Sequence, residues 1–124
     1  MEVVEGAATV CDVDDFVADL TAIGDEHGVA VQAFDARYVT GYEHLQRAVA
    51  MADRAWAHDD AIARERAVEI LLYAAGRRQI TRALEMGVDE GHRRLVVVIA
   101  GDDPADERAA ARAVDARLEP TQTL

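Results

Sequence analysis

The sequence predicts an α/β (α+β) fold: a single layer of about four strands in a mixed sheet, covered by about four helices, in the order β-α-β-α-β-α-β-α. Three observations carry this expectation. Short apolar runs alternate with longer stretches in which apolar residues return every three or four positions. Helix-start signals stand before the long stretches, and glycine or proline follows two of them. The length of 124 residues suits one domain, residues 1–124, that buries roughly two-thirds of its unfolded surface without staples.

The elements follow in order. Glu2 to Ala8 reads as a short strand. Asp12 is placed to cap a helix from Val13 to about His27, with Asp14 and Asp15 in its first turn and a buried stripe of Val13, Phe16, Val17, Leu20 and Ile23. Gly28 is placed to end it. Val29 to Phe34 alternates well enough for a second strand. Thr40 and Glu43 have capping-box spacing and start a helix to about His58, burying Leu45, Val49, Ala52 and Trp56. Asp59 to Arg66 reads as a loop with room for one helical turn. Glu69 to Ala74 is taken as a third strand, followed by a helix with Ile80, Ala83 and Leu84 on one face. Arg94 to Ala100, with Val96-Val97-Val98-Ile99, is apolar on both faces and hence a central strand. Asp103 then caps a last helix, with Pro104 at its first position and Glu107 completing a capping box. That helix buries Ala110, Val114 and Leu118, and Pro120 stops it.

Composition narrows the function classes. Hydrophobic residues make up 51% of the chain and fall in periodic segments, which argues against disorder. Cys11 stands alone, so no intramolecular disulfide forms, which fits a reducing cytoplasm. No apolar run approaches the roughly 18 residues of a membrane span, and the acidic start Met1-Glu2-Val3-Val4-Glu5 lacks a signal-peptide layout. Net charge is −11, and all 13 basic residues are arginine. A strongly negative surface keeps a protein soluble where salt screens charge, as at about 1 M, where the Debye length is near 3 Å. The composition therefore reads as salt adaptation of the halophile kind, because the acids are spread along the chain and not massed for one basic partner. Global charge then does not exclude nucleic acid.

The usual catalytic constellations do not emerge. His27, His44, His58 and His92 lack the paired spacing of a zinc site and read as surface residues. Cys11 has no histidine motif beside it and reads as a small packing residue. Asp59-Asp60 and Asp102-Asp103 are sequence neighbours, whose side chains usually diverge, so they read as loop and cap residues. Gly76 has no companion glycines for a phosphate loop or dinucleotide fingerprint. No enzyme, metal or cofactor is implied.

What remains is an arginine cluster. Arg77 and Arg78 stand at the expected start of a helix, with Arg82 one turn on. Cations are poorly placed at such an end, where free N–H groups and the helix dipole want an anion, unless an anion comes to sit there. From Arg77 to Arg94 five arginines stand against Glu85, Asp89 and Glu90, a positive island in a negative chain. A salt-bridged surface, with Arg82 serving Glu85, is the plainer reading, but Arg78 and Arg82 repel across one turn. Arg78 has the fork for a phosphate, Gln79 the amide for a base edge, and Tyr73 a stacking face if its ring is exposed.

At this motif the chain resembles a known family. Glu69-Ile70-Leu71-Leu72-Tyr73-Ala74-Ala75-Gly76, then Arg78-Gln79-Ile80 and Ala83-Leu84, is similar to the small KEOPS-complex subunit, the PRPK-binding (CGI-121) family. Archaeal members typically read Glu-Ile-Leu-Leu-Tyr-Ala-Ser-Gly-x-Arg-Gln-Ile here, so Ala75 departs from a frequent serine. The likeness extends over Val31-Gln32-Ala33-Phe34-Asp35-Ala36, the helix with His44-Leu45 and Ala48, and the strand Val96 to Ile99.

The resemblance implies a cytoplasmic, non-enzymatic subunit of a complex that installs threonylcarbamoyl on adenosine in tRNA. It implies two partners: the small kinase (or ATPase) subunit and the single-stranded 3′ CCA end of tRNA, with no membrane. RNA is most often read where its bases are unstacked, which a 3′ tail provides. The RNA-binding residues expected are Gly76, for close backbone approach, Arg77, Arg78, Gln79 and Arg82, with Ile80 falling on the core face. For the kinase, the last helix is the expected face through Val114 and Leu118, which the periodicity equally makes core residues. Two other classes stay open: a scaffold that binds only the kinase, and a regulatory domain that binds a nucleotide or small anion at Gly76.

Overall fold

The computed structural model describes residues 1–39, 41–57, 66–75 and 90–119. Among them the elements run β1 (Glu2–Val10), α1 (Val13–His27), β2 (Ala30–Asp35), a short 3-10 turn (Ala36–Tyr38), α2 (Tyr42–Ala57), α3 (Arg66–Ala75), β3 (Gly91–Ala100) and α4 (Pro104–Asp115). The sheet has the order β1-β3-β2, and both pairings are antiparallel. Glu2 faces Ile99 and Val10 faces Gly91 on one side of β3, while Val31 faces Ile99 and Asp35 faces Leu95 on the other.

β3 is central, as its two-sided apolar pattern requires. Leu95 to Ala100 are all buried. Leu95, Val97 and Ile99 pack toward α1 and α4, and Val96, Val98 and Ala100 toward α2 and α3. The fold is thus three layers, with an antiparallel sheet between two helical layers.

Two expectations about the sheet are corrected. It is antiparallel rather than mixed, with three strands among the described residues. The expected third strand, Glu69 to Ala74, lies within the helix α3. The reason is visible in burial: Ile70, Leu71 and Ala74 are buried and Ala67 is half-buried, a stripe spaced by three and four residues. A four-residue apolar run does not by itself separate a strand from a buried helical turn, and the alanines at 67, 74 and 75 favour helix.

The helix signals at α1 hold. Asp12 accepts the Asp15 N–H at 3.1 Å, and Gly28 closes the helix at φ +67°, a left-handed conformation suited to glycine. Of the expected stripe, Leu20 and Ile23 are buried, but Val17 is 46% exposed. On α2, Leu45, Val49 and Ala52 are buried as expected, while the Trp56 side chain and Thr40 lie outside the described residues.

On α4, Asp103 caps as predicted, accepting the Ala105 N–H at 2.8 Å, with Pro104 in the first turn. Glu107 departs from the capping box. Its carboxylate is buried, receives the Gly101 N–H at 3.0 Å and pairs with the Met1 ammonium at 2.9 Å. It therefore ties α4 to the end of β3 and the start of β1. After α4, Glu119 exchanges backbone hydrogen bonds with Ala7 at 2.8 and 2.7 Å, and Leu118 seats against β1 at Gly6. A Cβ at Gly6 would stand 2.7 Å from the Leu118 Cβ, so the approach needs glycine there.

Candidate functional site

The candidate site grows from the far end of α3. This helix packs beside α2, and Ile70, Leu71 and Ala74 share a core cluster with Phe34, Leu45, Ala48, Val49 and Ala52. That packing fixes the last turn of α3, and Gly76 follows Ala75 directly in sequence. The imidazole of His44, in the first turn of α2, reaches the same end: its Nε2 lies 2.6 Å from the Ala74 carbonyl oxygen. Tyr73 is half-buried and packs against the α2/α3 core.

The expected RNA-binding residues Gly76, Arg77, Arg78, Gln79 and Arg82, and Ile80 with them, lie outside the described residues. The other end of the arginine-rich stretch is described. Arg93 and Arg94 open β3, opposite Ala8 and Ala7 of β1. The Arg93 Nε donates to the Glu90 carbonyl at 3.0 Å, while Arg94 is exposed.

Close by, at the end of β2, Asp35 is buried and grips Arg37 through both carboxylate oxygens, at 3.1 Å from Nε and 2.9 Å from the terminal nitrogen. The Arg37 backbone N–H adds a third contact at 3.0 Å. Burial alone would raise the Asp35 pKa. The hydrogen bonds from Arg37 and the charges of Arg37 and Arg93 outweigh it and hold the carboxyl below its usual value.

The kinase-face residues are placed plainly. Val114 is fully buried and Leu118 is 9% exposed, both in the α1/α4 core. Of the two roles the sequence left open for them, they occupy the packing one. A cleft of about 680 Å³, with a mixed polar and apolar lining, lies elsewhere, where β1 meets the start of α2. Val3, Val39, Tyr42 and Leu45 line it, Glu2 and Glu5 contribute acids, and Tyr42 is 54% exposed. Sequence periodicity missed this cleft, because Val3 and Val39 come from separate elements and Tyr42 precedes the buried stripe of α2.

The remaining candidates fall into ordinary roles. Cys11 is exposed at the turn between β1 and α1, not packed as expected. His92 sits 3.2 Å from the Thr9 hydroxyl across the β1/β3 pair. His58 and Asp59-Asp60 lie outside the described residues. Among the described residues no group of three histidines, cysteines or carboxylates is placed to hold a metal, and no helix is long and apolar enough to cross a membrane.

No curated protein is similar enough to the chain to count as a match. The sequence profile described as kinase binding protein CGI-121 matches residues 12–123, nearly the whole chain. The match spans α1, the β2–β3 pairing, the α2/α3 pair and α4, with β1 lying before it, and with it the chain belongs to the CGI-121 family of kinase-binding, non-catalytic proteins.

Proposed function

We propose that this protein is the small adaptor subunit of a KEOPS-type complex, one that holds the kinase subunit and recruits tRNA by its 3′ CCA end for threonylcarbamoyl-adenosine modification. One observation carries the RNA half of the reading. In a CGI-121 chain of net charge −11, Arg77-Arg78-Gln79 and Arg82 follow directly on the glycine after α3. Forked guanidinium groups suit phosphate, an amide suits a base edge, and the half-buried Tyr73 on α3 offers a ring for stacking. In concentrated salt, counterion release contributes little, so binding rests on these short-range contacts. The acidic composition supports a halophilic archaeal source and a cytoplasmic setting.

For the kinase, the cleft beside Tyr42 is the surface we assign, since the exposed Tyr42 side chain stands in a mixed lining whose acids complement a basic partner segment. Val114 and Leu118 enter this reading as the residues that hold α4 on the sheet, and not as contacts.

The test is a titration in about 2 M KCl, where screening is nearly complete. An intact ANN-decoding tRNA is compared with the same tRNA lacking CCA, for the wild type and for Arg78→Ala. A forked contact is worth about 1–3 kcal/mol, so Arg78→Ala weakens binding by about tenfold or more, and loss of CCA abolishes the difference. If Arg78→Ala binds within about twofold of the wild type, the arginine reading fails and the chain is a kinase scaffold alone.

A further inference from the structure

We propose that the kinase partner adds an extended, basic segment as a further strand on the outer edge of β1, beside Tyr42; this rests on the reading of that cleft as the kinase surface. β1 stands at the edge of the sheet, with β3 on its inner side. In an antiparallel strand each residue turns its N–H and C=O to one side, and successive residues alternate. Ala7 donates to the Glu119 carbonyl at 2.8 Å and accepts the Glu119 N–H at 2.7 Å, so its backbone groups face outward. Those of Glu5 and Val3, on the same alternation, face outward as well, while Glu2, Val4 and Gly6 turn theirs to β3. The rung at Ala7 shows that this edge accepts a strand. Toward the start of β1, no described residue gives Val3 or Glu5 a backbone partner on the outer side. Such a row of N–H and C=O groups is a template for an extended chain.

The other edge of the sheet is guarded. The pairing leaves the Ala33 carbonyl on the outer side of β2, and the Gln32 side chain donates to it at 2.9 Å, taking an acceptor that a new strand would need. The β1 edge instead carries recognition chemistry. Val3, Glu2 and Glu5 line the cleft together with Tyr42, which is 54% exposed. Opposite charges across a strand pair stabilise it and like charges weaken it. A second copy of β1 would set acid against acid, whereas a segment bearing lysine or arginine meets Glu2 and Glu5 with complementary charge. Backbone bonds to Val3 and Glu5 then supply affinity, and alternate side chains entering the cleft beside Tyr42 supply the choice of partner.

The backbone role is separable from the side chains. Glu5→Pro removes one outward N–H and leaves the bonds to β3 intact, a place where an edge strand tolerates proline. Glu5→Gln removes only the charge, and Tyr42→Ala tests the cleft itself. Each full-length variant is titrated with the purified kinase subunit in about 2 M KCl, where charge is screened, and melted by circular dichroism. Glu5→Gln is expected to bind within about twofold of the wild type, and Glu5→Pro about tenfold more weakly at a melting temperature near wild type. In the wild-type complex, hydrogen exchange at the Val3 and Glu5 amides is expected to slow at least tenfold. If Tyr42→Ala is impaired and Glu5→Pro binds like Glu5→Gln, the added strand is overturned and the cleft reading stands. If neither Tyr42→Ala nor Glu5→Pro is impaired, the cleft reading itself falls and takes the strand with it. Should Glu5→Pro melt early, the wild-type complex decides: unchanged exchange at Val3 and Glu5 overturns the proposal.

Discussion

The two faces of the sheet are built differently although one strand serves both. Alternate residues of β3 enter opposite cores, so neither face has the better strand. The α1/α4 face is closed by local, sequence-legible caps, Asp12 and Gly28 bounding α1 and Asp103 starting α4, and by one long-range clamp, the buried Glu107 on Gly101 and Met1. The α2/α3 face relies on two helices packing on each other and on the sheet, joined by the His44–Ala74 bond. The first face fixes its ends by capping. The second is held by helix-to-helix packing, and the residues proposed for RNA contact follow α3 in sequence. The difference separates a face secured by local caps from one secured by long-range packing.

The largest expected effect tests that separation. Leu71, 1% exposed in the α2/α3 core, and Val114, fully buried in the α1/α4 core, are truncated in parallel. Leu71→Ala costs about 2–5 kcal/mol and Val114→Ala about 2 kcal/mol, from lost burial and the cavity left behind. Each kcal/mol lowers the melting temperature of a chain this size by roughly 3–5 °C. Binding is then measured on the fraction that remains folded. On the proposal that RNA binds the residues following α3, Val114→Ala keeps wild-type tRNA affinity and Leu71→Ala loses several-fold, because only the second loosens α3. Equal tRNA affinity in the two folded variants breaks the division between the faces.

That division also explains what the sequence could tell. The α1/α4 face was legible because its signals are local: a cap three residues from its acceptor, a glycine after the last turn, a proline at the first position of α4. The two-sided run at Val96 to Ile99 announced a central strand for the same reason. The α2/α3 face was not. Ile70 to Tyr73 has no alternation to separate strand from helix, and only the partners Phe34, Leu45 and Val49 show which period is in use. Glu107 stands four residues after Asp103, one too far for the capping box expected of it, and its carboxylate goes to Gly101 and Met1, neither of which is visible from the local pattern. The residues proposed for RNA contact, Gly76 to Arg82, lie outside the described residues, and the His44–Ala74 bond was not legible, since its acceptor lies thirty residues on.

A smaller effect comes from the Asp35–Arg37 corner at the end of β2. The folded pKa of Asp35 lies below its ordinary value, so its stabilising contribution is present at neutral pH and is lost as pH falls through that depressed value. Asp35→Asn removes the ionised acceptor and costs about 1–3 kcal/mol near pH 7. Denaturant titrations between about pH 7 and pH 3 show the wild-type curve descending toward the variant's on the acid side, and the gap closes there. A gap that stays constant across the range means that shape, and not charge, is what Asp35 contributes.

The smallest effect sharpens the comparison most. Arg117 and Asp19 pair at 3.1 Å between the segment after α4 and α1, with half or more of each side chain exposed. It is the most conspicuous ion pair between those two elements, yet surface pairs of this kind are worth about 0–1 kcal/mol and fade with salt. Arg117→Ala therefore shifts the melting temperature by about 5 °C at most in dilute buffer and by less still in about 2 M KCl. A large, salt-resistant loss would mean that the α1/α4 face is fastened from outside, by the pair. The expected near-silence means that it is fastened from within, by Leu20, Ile23, Ala110 and Val114 against the odd-numbered side of β3.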